Sequence, residues 1–223
     1  MDSGAEAVKV VLLGESGVGK TSIITQFTNS TFDPDQVTSL TAQFISKTIE
    51  FQNLGKFLKF DIWDTAGQEK YRALAKIFYK DAKVICLVYD ITDKKSFEQL
   101  KTYWYEMVKT NGEPDVIFAV VANKIDLYDD SAVKEEEGRE FAKNIGAIFQ
   151  ATSAKSDTGI TNLFDNLGQK YFNPNYDFGG NEEKEKEEYM KKKDEEMQKK
   201  KEPKGVKLSA VTTNKKNKKK NCC

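Results

Sequence analysis

The sequence predicts an α/β fold in three layers: a six-stranded, mostly parallel sheet with one antiparallel edge strand, and helices on both faces. Two observations predict it. Strand-like apolar runs alternate with helically spaced segments in the order βαββαβαβαβα. Residues 84–90 and 116–123 are continuous apolar runs, as strands covered on both faces require.

Residues 8–13 read as the first strand and residues 20–27 as the first helix. Residues 44–51 and 57–63 read as a hairpin turning at 52–56, which supplies the antiparallel edge. After the strand at 84–90, residues 96–109 carry helical spacing at Phe97, Leu100, Trp104 and Val108, with Ser96 as the expected N-cap. The strand at 116–123 is followed by a helix at 134–145, a short strand at 148–152 and a last helix at 160–172. Beyond about Pro174 the stretch NEEKEKEEYMKKKDEEMQKKKEPK has almost no apolar residues and cannot bury a core. The expected organisation is a folded domain over residues 1–175 and a flexible charged tail over residues 176–223.

Charge is unevenly placed along this 223-residue chain, whose formal net charge is zero. Residues 176–223 hold 15 Lys against 10 Asp and Glu, which leaves the remainder net acidic by the same margin. A basic tail on a mildly acidic body suits an interaction tail, and the lack of a recognisable nucleic-acid motif argues against nucleic acid as the partner. Of three cysteines, Cys86 lies in the apolar run VICLVY and reads as a buried thiol, while Cys222 and Cys223 are adjacent and suit no structural disulfide. The opening MDSGAEAVKV has neither a basic start nor an apolar stretch of signal-peptide length. No run approaches the ~18 apolar residues that span a bilayer. The expectation is a protein made in the cytosol that stays on that side of any membrane.

The first strand runs into GESGVGKT, residues 14–21, which fits G-x-x-x-x-G-K-[ST] between a strand and a helix. Glycines let such a loop curl so that backbone N–H groups face phosphate oxygens, and the helix N-terminus favours an anion. Lys20 would reach the β- and γ-phosphates, and the Thr21 hydroxyl would ligate Mg²⁺. The fold expected is therefore that of the P-loop nucleotide-binding proteins. WDTAGQE, residues 63–69, ends the third strand. There Asp64 would hold Mg²⁺ through water, Gly67 would bring an N–H to a γ-phosphate, and Gln68 would orient an attacking water.

The apolar run FAVVANKID stops at Asn123, Lys124 and Asp126. Guanine presents N1–H and a 2-amino group on one edge, and a fixed carboxylate such as Asp126 accepts both. Adenine offers a lone pair there instead, so a site built around that carboxylate rejects it. Asn123 would bond the N7 edge, and Lys124 would lay its methylene stem along the base. TSAK, residues 152–155, follows another strand end, where the Ala154 N–H would serve the O6 acceptor.

GESGVGKT, WDTAGQEKYR, NKID and TSAK, in that order, resemble the Ras superfamily of small GTPases over residues 8–172. YRALAKIFYKDA and VYDIT resemble the Rab branch most closely. The resemblance implies binding of GTP and GDP with Mg²⁺, and slow hydrolysis of GTP to GDP. It implies two switch segments, about residues 32–44 and 66–78, ordered by the γ-phosphate. Ser16, Gly17, Val18, Gly19, Lys20, Thr21 and Ser22 would then bind phosphates, and Ser153, Ala154 and Lys155 would serve the base. Phe32 would stack on guanine opposite Lys124. Phe44, Trp63 and Phe78 would form the aromatic trio shown to effectors. The partners implied are an exchange factor, a GTPase-activating protein, effectors, the prenylation machinery and a prenyl-binding chaperone.

The chain departs from the family pattern in three places. Where a Thr-Ile-Gly is usual, it reads TSLTAQF, which aligns Ser39 with the Mg²⁺-binding threonine and Thr41 with the glycine; Thr38 and Thr41 are fallback ligands. The hairpin FQNLGKF is about two residues longer than usual. Phe78 stands where tyrosine is common. The chain has two arginines, Arg72 and Arg139, and no expected internal arginine finger, so an activating partner would supply that group.

The end NKKNKKKNCC resembles the doubly geranylgeranylated end of Rab proteins. Two prenyl chains on Cys222 and Cys223 would anchor stably where one would not, and the lysines would favour anionic lipid. The implied location is the cytoplasmic face of an internal membrane, with a cytosolic pool, in vesicle traffic. Two other readings compete. A P-loop phosphotransferase would prefer ATP, and a nucleotide-holding module with an impaired first switch would show no single-turnover hydrolysis.

Overall fold

The computed structural model describes residues 5–36, 43–64 and 78–176. All of them fall in one unit, Met1–Glu183, and the second unit, Lys184–Cys223, lies outside the described residues. Six strands form one sheet: β1 Glu6–Leu13, β2 Gln43–Phe51, β3 Lys56–Asp64, β4 Val84–Asp90, β5 Ile117–Asn123 and β6 Ile148–Thr152. Their order is β2-β3-β1-β4-β5-β6, with every pairing parallel except that of β2 with β3. The antiparallel strand is therefore at an edge, as the sequence predicts.

Both faces of the sheet are covered because the central strands have apolar side chains pointing each way. Along β1, Val8, Val10 and Leu12 enter one core, whereas Val11 and Leu13 enter the other. The first core is closed by α1, Lys20–Asn29, and α4, Ile160–Phe172, where Phe27 and Phe164 stack at 3.5 Å between ring centres. The second is closed by the helices over residues 94–111 and 135–144. Helix α3 is Glu135–Asn144, and the Glu137 carboxylate accepts the Lys134 backbone N–H at its start. Helix α2 is composite: α-helical over Lys94–Gln99, π-helical over Leu100–Tyr105, and α-helical again over Glu106–Asn111.

The structure moves the start of α2. Asp93, not Ser96, is its N-cap, and the Asp93 carboxylate accepts the Lys95 N–H at 2.9 Å. Ser96 is fully buried and serves the strand end instead, accepting the Asp90 N–H and donating to the Asp93 carbonyl. The pattern missed this because both residue types cap helices, and Asp93 comes first. A 3-10 turn at Ile125–Asp130, unmarked in the sequence, carries the chain off β5.

The hairpin tip is docked rather than free. Lys56 already belongs to β3, and the turn spans residues 52–55 with Gly55 at φ 61. Asn53 and Gln169 of α4 exchange two amide hydrogen bonds, at 3.2 and 3.4 Å. Lys56 sits 4.6 Å from the centre of the Phe172 ring. No helix among the described residues is long and apolar enough to cross a membrane.

Candidate functional site

Parallel strands bring their C-terminal ends to one edge of the sheet, and the motifs gather there. The β1–α1 loop curls through Gly17 at φ 81 and Gly19 at φ 94, conformations that glycine adopts without strain. Lys20 is buried at its far end, and its Nζ donates to the Gly14 and Glu15 carbonyls, both at 2.9 Å. Burial pushes the Lys20 pKa down to about 8, and the charges of Asp64 and Glu15 oppose that shift. The Thr21 hydroxyl donates to the Asp64 carboxylate at 2.5 Å, which joins the phosphate loop to the end of β3.

Thr21 and Asp64 therefore offer hard oxygens side by side, which fits Mg²⁺. No group of three or more Asp, Glu, Cys or His side chains gathers among the described residues. A cation here would draw its remaining ligands from water and a bound phosphate, as Mg²⁺ usually does.

The strand register explains why NKID and TSAK meet. Asn123 at the end of β5 pairs with Thr152 at the end of β6, so NKID and TSAK leave the sheet side by side. Asn123 is buried, and both ends of its amide are engaged: Nδ2 donates to the Val18 carbonyl at 2.8 Å, and Oδ1 accepts from Thr152 at 3.1 Å. It thus clamps the phosphate loop to both strands, a role its sequence position did not reveal. Lys124 adopts a left-handed φ of 69, and its ammonium pairs with Asp90 at 2.6 Å. Asp90 also accepts from Thr92 N and Oγ1, each at 2.8 Å, so the Lys124 stem is held from β4.

The Asp126 carboxylate is aimed by its neighbours. Ser153 Oγ donates to it at 2.6 Å, and the Lys155 ammonium lies 3.9 Å away. Ser153 is fully buried and itself accepts the Ser156 N–H, which closes the loop beneath Asp126.

These elements enclose one cleft of ≈ 380 Å³, within the usual range for small-molecule sites. Ser16, Gly17, Gly19, Lys20, Thr21 and Ser22 line its phosphate-loop end, and Asn123, Lys124, Asp126, Ala154 and Lys155 its opposite end. Phe32 lines it too, joined by Asp33, Pro34, Gln36 and Leu127, which motif reading did not supply. Val18, Ser153 and Asp64 support the cleft without lining it. Ser39, Gly67, Gln68, Cys222 and Cys223 lie outside the described residues.

The aromatic trio is contiguous. Phe44 and Trp63 pair across β2 and β3 with ring centres 5.1 Å apart, and Trp63 is 6.1 Å from Phe78. Phe44 is 52% exposed, and the Lys9 ammonium stands 5.2 Å from the Trp63 ring centre. Cys86, by contrast, is fully buried, and burial pushes its thiol up to about 12.

Comparison with known proteins agrees with this geometry. Residues 9–173 match the Ras family. The chain is 41% identical over 163 residues to human Ras-related protein Rab-22A, covering 73% of this chain and 82% of that protein. It is 41% identical over 163 residues to human Ras-related protein Rab-21, covering 73% and 71%. It is 39% identical over 161 residues to Dictyostelium discoideum Ras-related protein RabC, covering 72% and 82%.

Proposed function

The chain belongs to the Rab branch of the Ras superfamily and is a GTPase, and on that premise we propose that it is a GTP/GDP switch that recruits effectors to membranes in vesicle traffic. The observation that carries this reading is a single cleft with an anion-binding loop at one end and a braced Asp126 carboxylate at the other.

At the phosphate end, backbone N–H groups of residues 16–22 hold the phosphates, and Lys20 turns its charge to the β- and γ-oxygens. Thr21 and Ser39 would hold Mg²⁺, with Asp64 assisting through water. The ion would supply positive charge against the phosphate oxygens. Gln68 orients the attacking water, and Gly67 donates its N–H to the γ-phosphate. Arg139, the arginine among the described residues, pairs with Glu135, so an arginine supplied by an activating protein would accelerate an otherwise slow hydrolysis.

At the base end, Asp126 accepts both donors of the guanine edge, held in place by Ser153. Phe32 and the Lys124 stem enclose the ring, and Ala154 serves O6. Phe44 in β2 and Phe78 stand at the ends of the two switch segments and Trp63 in β3 meets both, so this surface suits reading by effectors in the GTP state. Residues 1–175 form the switch domain, and residues 176–223 form the tail that prenyl groups on Cys222 and Cys223 fix to the cytoplasmic face.

The test is competition between GTP and ATP for purified protein stripped of ligand and supplied with Mg²⁺. The reading expects a strong preference for GTP, lost in Asp126→Ala. Equal binding of the two nucleotides by the unaltered protein would overturn it.

A further inference from the structure

The phosphate loop is costly to hold in shape. Gly14, Gly17 and Gly19 sit at φ 153, 81 and 94, and glycine loses more freedom on ordering than any other residue. Among the described residues, several side chains tether the loop. Lys20, Asn123 and, through Thr21, Asp64 do so from the motifs that gather at the cleft. A further tether comes from elsewhere: Trp104 Nε1 donates to the Glu15 carboxylate at 2.9 Å, across 89 positions of sequence.

Trp104 is a fixed donor. It is 1% exposed, lies in the π-helical stretch of α2, and belongs to the core that holds Tyr79, Phe97 and Leu100. An indole N–H can only donate, and leaving it buried without an acceptor is costly, so the bond determines where the Glu15 side chain goes. The acceptor is a carboxylate, which makes the bond a charge-assisted one. Neither Trp104 nor Glu15 lines the cleft. The Glu15 carbonyl accepts the Lys20 ammonium, so bracing Glu15 also braces the resting place of Lys20.

We propose that Trp104 is a positioning residue for nucleotide binding: through Glu15 it keeps the first half of the phosphate loop in the conformation that grips phosphate. This rests on the GTPase reading above. Loss of the bond lowers the share of molecules whose loop is competent, and apparent affinity falls by that share.

The test measures equilibrium affinity for fluorescent GDP with Mg²⁺, in full-length protein, for Trp104→Phe, Glu15→Ala, Glu15→Gln and the Trp104→Phe/Glu15→Ala double variant. Each loss of the bond weakens binding about tenfold, the scale of one hydrogen bond to a charged group. The double variant binds no worse than the weaker single one, because both remove the same contact. Glu15→Gln keeps an acceptor oxygen for the indole and recovers most of the affinity, which a purely structural loss would not do. Additive losses, single variants that bind like the unaltered chain, or a glutamine no better than alanine would each overturn the inference. If Trp104→Phe does not fold, the comparison of Glu15→Ala with Glu15→Gln decides alone. Unaltered protein that binds no guanine nucleotide overturns the proposed function itself; normal binding with unaffected variants overturns only the role of Trp104.

Discussion

A side chain at Gly19 has nowhere to go, because its Cβ would fall on the amide nitrogen of Asn123. The two residues lie in different motifs, yet the Asn123 amide needs that space to reach the Val18 carbonyl at 2.8 Å.

Asn123→Ala therefore removes two buried hydrogen bonds and leaves the Val18 carbonyl and the Thr152 hydroxyl without those partners. Each such loss costs about 1 kcal/mol, or more where a group is left unsatisfied. GDP affinity should fall at least about thirtyfold by calorimetric titration. The melting temperature should fall with it, because the same amide ties β5 to β6.

Ser153 should govern selectivity rather than grip. Ser153→Ala removes the 2.6 Å hydroxyl donor that aims Asp126. A carboxylate free to rotate discriminates less, so the preference for GTP over ATP should fall about tenfold while phosphate affinity changes little. Competition of both nucleotides against labelled GDP measures this.

Gly168 is the packing counterpart of Gly19. A Cβ there would overlap the Phe51 ring, which also meets Phe172 edge-on at 5.6 Å. Gly168→Ala should destabilise the domain by about 1–3 kcal/mol in urea titration. In a Phe51→Leu background the same change should cost little, because the ring that blocks the Cβ is gone.

Alkaline pH should weaken the fold through Cys86. Its folded pKa, at about 12, lies above the ordinary thiol value, so the folded state favours the neutral thiol. That contribution is fully present below about pH 8.5 and is lost progressively as pH rises towards the folded value, because the unfolded chain releases the proton first. Between about pH 8.5 and 10.5 the unaltered protein should lose roughly 2–3 kcal/mol more than Cys86→Ala, by urea titration at each pH.

Much of this was legible in the sequence. Apolar runs marked the buried strands, glycine spacing marked the loop after β1, and the run ending in Asn123, Lys124 and Asp126 marked a polar strand end that the fold places at the cleft. These features are local: a residue's type and its neighbours settle whether it lies in a strand, a turn or a cap. Even there, Ser96 and Asp93 were indistinguishable as caps until the fold turned Ser96 inward to the end of β4.

Tertiary structure decided who holds whom. Asp90 holding Lys124, Ser153 aiming Asp126, Asn53 gripping Gln169 and Trp104 bracing Glu15 all join residues from separate elements. Such pairings follow from the order β2-β3-β1-β4-β5-β6 and from which helix covers which face. The sequence by itself determined the chemistry available at each strand end; chain folding alone determined which of those groups lie within a hydrogen bond's length, since that reach is about 3 Å and the pattern of one segment carries no record of its distance from another.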